Sequence, residues 1–249
     1  MLRTPLLVAL ALLVSACGSS GGAARERSTL TVLAASSLSQ TLPALGRIFE
    51  AGHPGTTVVF SFAASTTLAQ QIRSGAPADV FAAASAVTMK QVVDAGDATD
   101  PRVFATNQAQ IAVYPPSADK VRSLADLARP GLRVSLCQPQ VPCGVLAVKV
   151  LSLAGVRVTP VTQGLDVKST LASVLSGETD AAIVYVTDVR AAGSRVVGID
   201  IPAQVNAATS YEVAPLAVSR QQDLARAFAD LLLAAGSQRV LQAAGFQAP

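Results

Sequence analysis

From its amino end the chain repeats one pattern: a short aliphatic run, a cluster of small polar residues, then apolar positions at helical spacing. Residues 30–34 (LTVLA) form a run short and apolar enough to predict a buried strand. Ser36, Ser37 and Ser39 follow, and Leu42, Leu45, Ile48 and Phe49 then share one face of a predicted helix. The cycle returns with a strand at 57–62, the cluster Ser65-Thr66-Thr67 and a helix beginning over 68–72. Gly75-Ala76-Pro77 turns the chain into a further short strand at 79–82. Residues 110–114 read as a strand stopped by Pro115-Pro116. A strand at 133–136 leads through a Pro-Cys-Gly turn to a helix at 145–153. Gly164-Leu165-Asp166-Val167 opens a helix through Leu175, with Gly177 placed to end it. Residues 181–186 (AAIVYV) are a buried strand ahead of Thr187-Asp188, 212–218 a late strand, and 224–235 a strongly apolar helix.

Alternation of strands and helices predicts an α/β fold with parallel, doubly wound sheets. Such sheets bind ligands beyond the carboxyl ends of their strands, where loops enter helix N-termini. This chain places its Ser and Thr clusters in those turns. Taken singly, each cluster is explained as a helix N-cap, worth about 1 kcal/mol. Taken together, the repeated neutral donors at helix starts describe a site for an anion held without a cationic side chain.

The amino terminus adds a location. Arg3 precedes an apolar stretch at 5–14 that ends in Ser15-Ala16-Cys17, the layout of a secretory signal over residues 1–16. The stretch is too short for a transmembrane helix. Val-Ser-Ala-Cys resembles the bacterial lipobox, which implies that Cys17 becomes the lipidated first residue. Residues 17–28 then form a small, polar, flexible tether. The expected location is the extracytoplasmic face of the cell membrane, through a lipid anchor.

Composition narrows the chemistry. The chain is 51% apolar and 4% aromatic, with no Trp, and its net charge of +3 is scattered. No basic run or aromatic-basic stripe suggests nucleic acid as a partner. Cys137 and Cys143 remain as a pair once Cys17 is set aside, and in an exported protein a Cys137–Cys143 disulfide is expected. A protein-held metal lacks ligands, because His53 is the one histidine and lies in a turn, AGHPG. Residues 18–22 spell G-x-S-x-G, the hydrolase elbow, but inside the tether with no strand before it or helix after it.

Several stretches together resemble the bacterial molybdate-binding proteins, the periplasmic components of molybdate ABC importers. They are LTVLAASSLSQTL (30–42), SFAASTTLAQQIRSGAPADVFAAAS (61–85), QVPCGVLAVKVL (140–151), LDVKSTLASVLSGETDAAIVYVTDV (165–189) and SQRVLQAAGF (237–246). The resemblance implies a type II periplasmic binding protein: two doubly wound α/β lobes joined by two crossing strands. Lobe I would take residues 29–108 and 214–249, and lobe II residues 109–213, with crossings near 108–112 and 213–217. It also implies a ligand set: the hydroxyl and N–H of Ser37 and of Ser65 from one lobe, and from the other the N–H of Cys143, the N–H of Val167 and the hydroxyl of Tyr185. Ser36 substitutes for Ser37 if the turn shifts by one residue, and Tyr185 is alternatively a packed core tyrosine. Cys143 departs from the alanine that can stand there.

The implied function is capture of molybdate or tungstate by a monomer and delivery to an ABC permease, with no cofactor and no catalysis. The rivals are another tetrahedral oxyanion such as sulfate, thiosulfate or phosphate, an exported hydrolase, and an adhesive lipoprotein without a small ligand. Phosphate calls for a buried acceptor for its proton, and ferric ion for more than one tyrosine without histidine.

Overall fold

The computed structural model describes residues 28–249. The secretory signal, Cys17, the tether through residue 27 and the G-x-S-x-G stretch therefore lie outside the described residues.

The strands are β1 (Ser28–Ala35), β2 (Thr56–Ala63), β3 (Val80–Ala83), β4 (Arg102–Val113), β5 (Val134–Cys137), β6 (Thr162–Gly164), β7 (Ala181–Tyr185), β8 (Val197–Asp200) and β9 (Ala208–Pro215). The helices are α1 (Leu42–Gly52), α2 (Ser65–Arg73), α3 (Ala86–Asp94), α4 (Pro142–Leu153), α5 (Val167–Leu175), α6 (Val186–Ala192), α7 (Gln222–Leu233) and α8 (Ala235–Ala244). Strand order runs β2-β1-β3-β9-β4-β7-β5-β6, with β8 added to β4.

Two α/β lobes share this path. In the first, β1 pairs in parallel with β2 and β3. In the second, β5 pairs in parallel with β6 and β7. The twelve-residue β4 joins them: Arg102–Gln108 pairs with β9, and Ala109–Val113 pairs with β7 and β8. Each lobe has its own core. Leu30, Val32, Phe49, Phe104 and Phe228 pack in the first, and Ile111, Val134, Val150, Val174 and Ile183 in the second.

The sheets are mixed rather than wholly parallel. β9 runs antiparallel to β3 and β4, and β4 antiparallel to β7 and β8. A strand that passes between lobes must leave one sheet and enter the other without a crossover helix, so antiparallel pairing follows at the junction. The outward passage switches partners between Gln108 and Ala109, inside the expected segment. The return lies earlier than the expected 213–217: β8 still belongs to the second sheet, and β9 pairs from Ala208 onward with the first. The expected 213–217 overlaps only the end of β9, whereas the passage itself is the irregular, Pro-containing stretch 201–207, which has no strand pattern.

Smaller differences have local causes. β4 starts at Arg102, ahead of the expected 110–114, because its first half breaks a short apolar stretch (Val103-Phe104-Ala105) with Thr106-Asn107-Gln108 and so forms no continuous aliphatic run. α3 and α8 are helices beyond those the apolar pattern predicts; α3 opens on Ser85, whose hydroxyl accepts from the Thr88 N–H. Ile48, assigned to the core face of α1, is 49% exposed, while Leu42, Leu45 and Phe49 are buried. His53 is not a free turn residue: its ring stacks on Phe49 at 4.0 Å and Nδ1 lies 2.9 Å from the Phe49 carbonyl.

Candidate functional site

Five strand-to-helix turns face each other between the lobes. In the first lobe, β1 ends at Ala35 and enters one 3₁₀ turn, Ser36–Leu38, and β2 ends just before α2. In the second, β5, β6 and β7 deliver the chain to the first turns of α4, α5 and α6. Between them lies a small cavity of about 10 Å³ whose lining residues, drawn from both lobes, are mostly buried, so the cleft is closed in this structure. Ser37, Ser65, Cys143, Val167 and Tyr185 all line it, and each is at least nine-tenths buried. Ser36, the alternative to Ser37, lines it as well.

Set among small apolar residues, the polar groups of the cavity wall are mostly donors. An α-helix leaves its first N–H groups without an intrahelical acceptor. Ser65 is the first residue of α2, Cys143 the second of α4 and Val167 the first of α5, so their N–H groups are of this kind. The N-cap positions of α2 and α4 are Ala64 and Val141, which have no side chain to satisfy those groups. The sequence reading placed the polar cluster and the Pro-Cys-Gly turn ahead of these helices. Both lie within the first turn, which is why their N–H groups point along the helix axes into the cleft.

The hydroxyls carry a proton direction. Ser65 Oγ accepts the Ala84 N–H at 2.9 Å, which leaves its own proton to donate elsewhere. Ser37 Oγ lies 2.8 Å from the Tyr211 hydroxyl. Tyr185 Oη is buried without a hydrogen-bond partner among the described residues. Its ring is held edge-to-face against Tyr211, with centroids 6.1 Å apart. Burial, with Tyr211 and Asp188 nearby, pushes the Tyr185 phenol well above its ordinary range, so it keeps its proton. An orphan buried donor costs about 1–3 kcal/mol and marks a place where a partner is missing.

No Lys or Arg lines the cavity. Lys168 lies nearby in α5 but is paired at 2.7 Å with Asp188, whose carboxylate also accepts the Tyr185 N–H at 3.3 Å. Burial pushes Asp188 upward and Lys168 draws it back. Asp166 does line the cavity, an acidic residue that sequence reasoning left out of the ligand set. Its carboxylate accepts the Ser169 N–H at 2.8 Å in a capping box with Ser169, and so faces its own helix start.

The donor loop of α4 is fixed in two ways. Cys137, the last residue of β5, is bridged to Cys143. A Cβ on Gly144 would run into the Gln138 carbonyl oxygen, so only glycine lets α4 begin this close to the loop.

Sequence reasoning missed Asn107 and Tyr211, which lie behind the cavity wall. Tyr211 sits in mid-strand in β9 and Asn107 in mid-strand in β4, with no turn or motif to single them out. Chemically, the cavity presents convergent neutral donors and no base beside a nucleophile. His53 is elsewhere, and the cavity's cysteine, Cys143, is bridged to Cys137. Among the described residues no group of three or more His, Cys, Asp or Glu would hold a metal ion, and no helix is long and apolar enough to cross a membrane.

Residues 30–247 match the sequence profile of the bacterial extracellular solute-binding proteins. The chain is 38% identical over 241 residues to the molybdate-binding protein ModA of Mycobacterium tuberculosis, covering 94% of this chain and 92% of that one. Among solved structures, the periplasmic molybdate-binding protein of Azotobacter vinelandii superposes with a TM-score of 0.79 at 22% identity, over 88% of this chain and 99% of that one. The sulfate-binding protein SubI of M. tuberculosis superposes with a TM-score of 0.77 at 19% identity, over 89% and 87%.

Proposed function

The chain belongs to the bacterial extracellular solute-binding proteins, with the molybdate-binding proteins as its relatives, and from that premise we propose that it captures molybdate between its two lobes and hands it to an ABC permease. The single observation that carries the reading is the unpartnered, buried Tyr185 hydroxyl in a cavity lined by the first turns of α2, α4 and α5. A fully deprotonated tetrahedral dianion supplies acceptors and nothing else, which matches donors converging from both lobes. Ser37 and Ser65 hold it from lobe I, and Cys143, Val167 and Tyr185 from lobe II. Because the donors come from both lobes, the anion stabilises the closed state over an open one. The protein binds without transforming its ligand, and tungstate, with the same charge and geometry, is taken as well.

The sulfate reading rests on the likeness to SubI, which concerns the fold alone. The relative at 38% identity favours molybdate. Lipid attachment at Cys17 is proposed from Val-Ser-Ala-Cys after the apolar stretch. It holds a monomeric body at the extracytoplasmic face, and labelling with a radioactive fatty acid, lost in Cys17→Ala, tests it.

The function is tested by thermal unfolding of protein lacking the leader and Cys17, with molybdate, tungstate, sulfate or phosphate added. A ligand at about 100 times its Kd adds about 2.7 kcal/mol, which is several degrees at this size. A shift with molybdate and tungstate alone is expected. A shift with sulfate alone would transfer the site to that anion, and no shift with any would remove the anion reading.

A further inference from the structure

We propose that Tyr211 and Asn107 are positioning residues that fix the direction of the Ser37 proton, so that Ser37 donates to the bound anion and the site discriminates against oxyanions that carry a proton. The inference rests on the oxyanion-binding reading and concerns residues that do not line the cavity.

Hydrogen-bond polarity is set along one buried chain of side chains. Asn107, fully buried in β4, accepts the Gln108 N–H on Oδ1 at 3.0 Å. That bond decides which end of the amide is the NH₂. Nδ2 then donates to Thr187 Oγ1 at 2.9 Å and lies 3.5 Å from the Tyr211 hydroxyl. With an amide N–H directed at its oxygen, Tyr211 keeps its own proton to donate, and of its two hydroxyl neighbours, Ser37 and Tyr185, it is Ser37 Oγ that lies within hydrogen-bond range, at 2.8 Å. Ser37 thereby accepts from Tyr211, and its single proton is directed toward the cleft. Ser65 is set the same way by the Ala84 N–H. Both serines then face the ligand with their protons directed to it. A monohydrogen oxyanion, which must place one proton on an acceptor, meets hydroxyls already oriented as donors and is held less well than a dianion with acceptors alone.

Structure also separates this role from packing. The Tyr211 ring sits edge-to-face with Phe104, Tyr185 and Phe246, and Tyr211→Phe keeps those contacts while deleting the hydroxyl. After that change Ser37 is free to rotate and either accept or donate.

The test is a double-mutant cycle read by calorimetric titration at pH 8, with molybdate and with inorganic phosphate as probes, on wild type, Tyr211→Phe, Ser37→Ala and the double variant. Tyr211→Phe is expected to weaken molybdate binding roughly tenfold, the scale of one lost hydrogen bond. It is also expected to narrow the molybdate-to-phosphate preference and to cause no further loss once Ser37 is alanine. An unchanged preference, or a loss of the same size in the Ser37→Ala background, overturns the proposal. Wild type that binds no oxyanion overturns the functional reading itself, which keeps the two failures apart. Should Tyr211→Phe not fold, Asn107→Leu removes the amide that holds the Tyr211 proton. It is then expected to weaken binding by about two- to threefold, again only when Ser37 is present. Equal loss with and without Ser37 overturns the proposal here too.

Discussion

Replacing Tyr185 by Phe should have opposite effects on the empty and the loaded protein. In the closed cleft the Tyr185 hydroxyl is buried with no partner, while the ring packs against Tyr211. Phe keeps the ring and removes only the oxygen. In the ligand-free closed protein an unsatisfied buried polar group costs about 1–3 kcal/mol, so its deletion is neutral to stabilising. Taking about 1 kcal/mol, the melting temperature should rise by roughly 2–4 °C for a body of this length. With molybdate bound, the same hydroxyl makes a charge-assisted hydrogen bond, and its loss costs about 1.5–3 kcal/mol. The Kd should then rise by roughly 10- to 150-fold, since about 1.4 kcal/mol is tenfold. Thermal unfolding without ligand and calorimetry with molybdate measure the two effects on one sample. A variant that melts several degrees lower when empty and binds molybdate as tightly as wild type would refute the reasoning, because the hydroxyl would then be a structural group.

Three further outcomes follow from the same geometry. Reduction of the Cys137–Cys143 bridge, or the variant Cys137→Ser/Cys143→Ala, should lower stability by about 2 kcal/mol on the chain-entropy model. It should also weaken molybdate binding by loosening the α4 donor loop, and unchanged affinity by calorimetry would remove the preorganising role. Asp180, held by the Arg133 backbone and side chain and by Ser117, has its carboxyl depressed to about 2. Its stabilisation is therefore complete above the ordinary carboxylate range and lost as pH falls from about 4 toward 2. Asp180→Asn should cost about 1 kcal/mol at pH 7, allowing for screening at the half-exposed Arg133, with the gap to wild type closing in acid melts. Lys168→Met leaves the buried Asp188 carboxylate without its cation, raising its folded-state pKa further. The variant should be less stable than wild type near pH 7 and should recover part of the difference as pH falls and Asp188 takes up a proton.

Much of the site was readable because its donors sit where local rules operate. Ser37 and Ser65 follow apolar runs, Val167 follows the Gly-Leu-Asp helix start, the Pro-Cys-Gly turn announces the start of α4, and Tyr185 ends the buried run AAIVY. Resemblance to known molybdate-binding proteins supplied the choice among these polar residues, which the N-cap reading alone left undecided. What stayed hidden depends on tertiary proximity. Asn107 and Tyr211 are 104 residues apart in sequence and meet only because β4 and β9 pair at the junction of the lobes. Asp166 reads as an ordinary helix cap, which it is, and its place on the cavity wall comes from the fold. The mixed sheet was illegible for a related reason: aliphatic density marks a strand but carries no direction, and direction at β4 and β9 is set by the passage between lobes.

The most direct test of the central claim is a crystal structure with tungstate, located by anomalous scattering at the tungsten edge. The account predicts one strong peak in the cavity between the lobes, with oxygens within hydrogen-bond reach of Ser37, Ser65 and Tyr185 and of the Cys143 and Val167 N–H groups. Anomalous density on the surface alone, with the cleft empty, would contradict it.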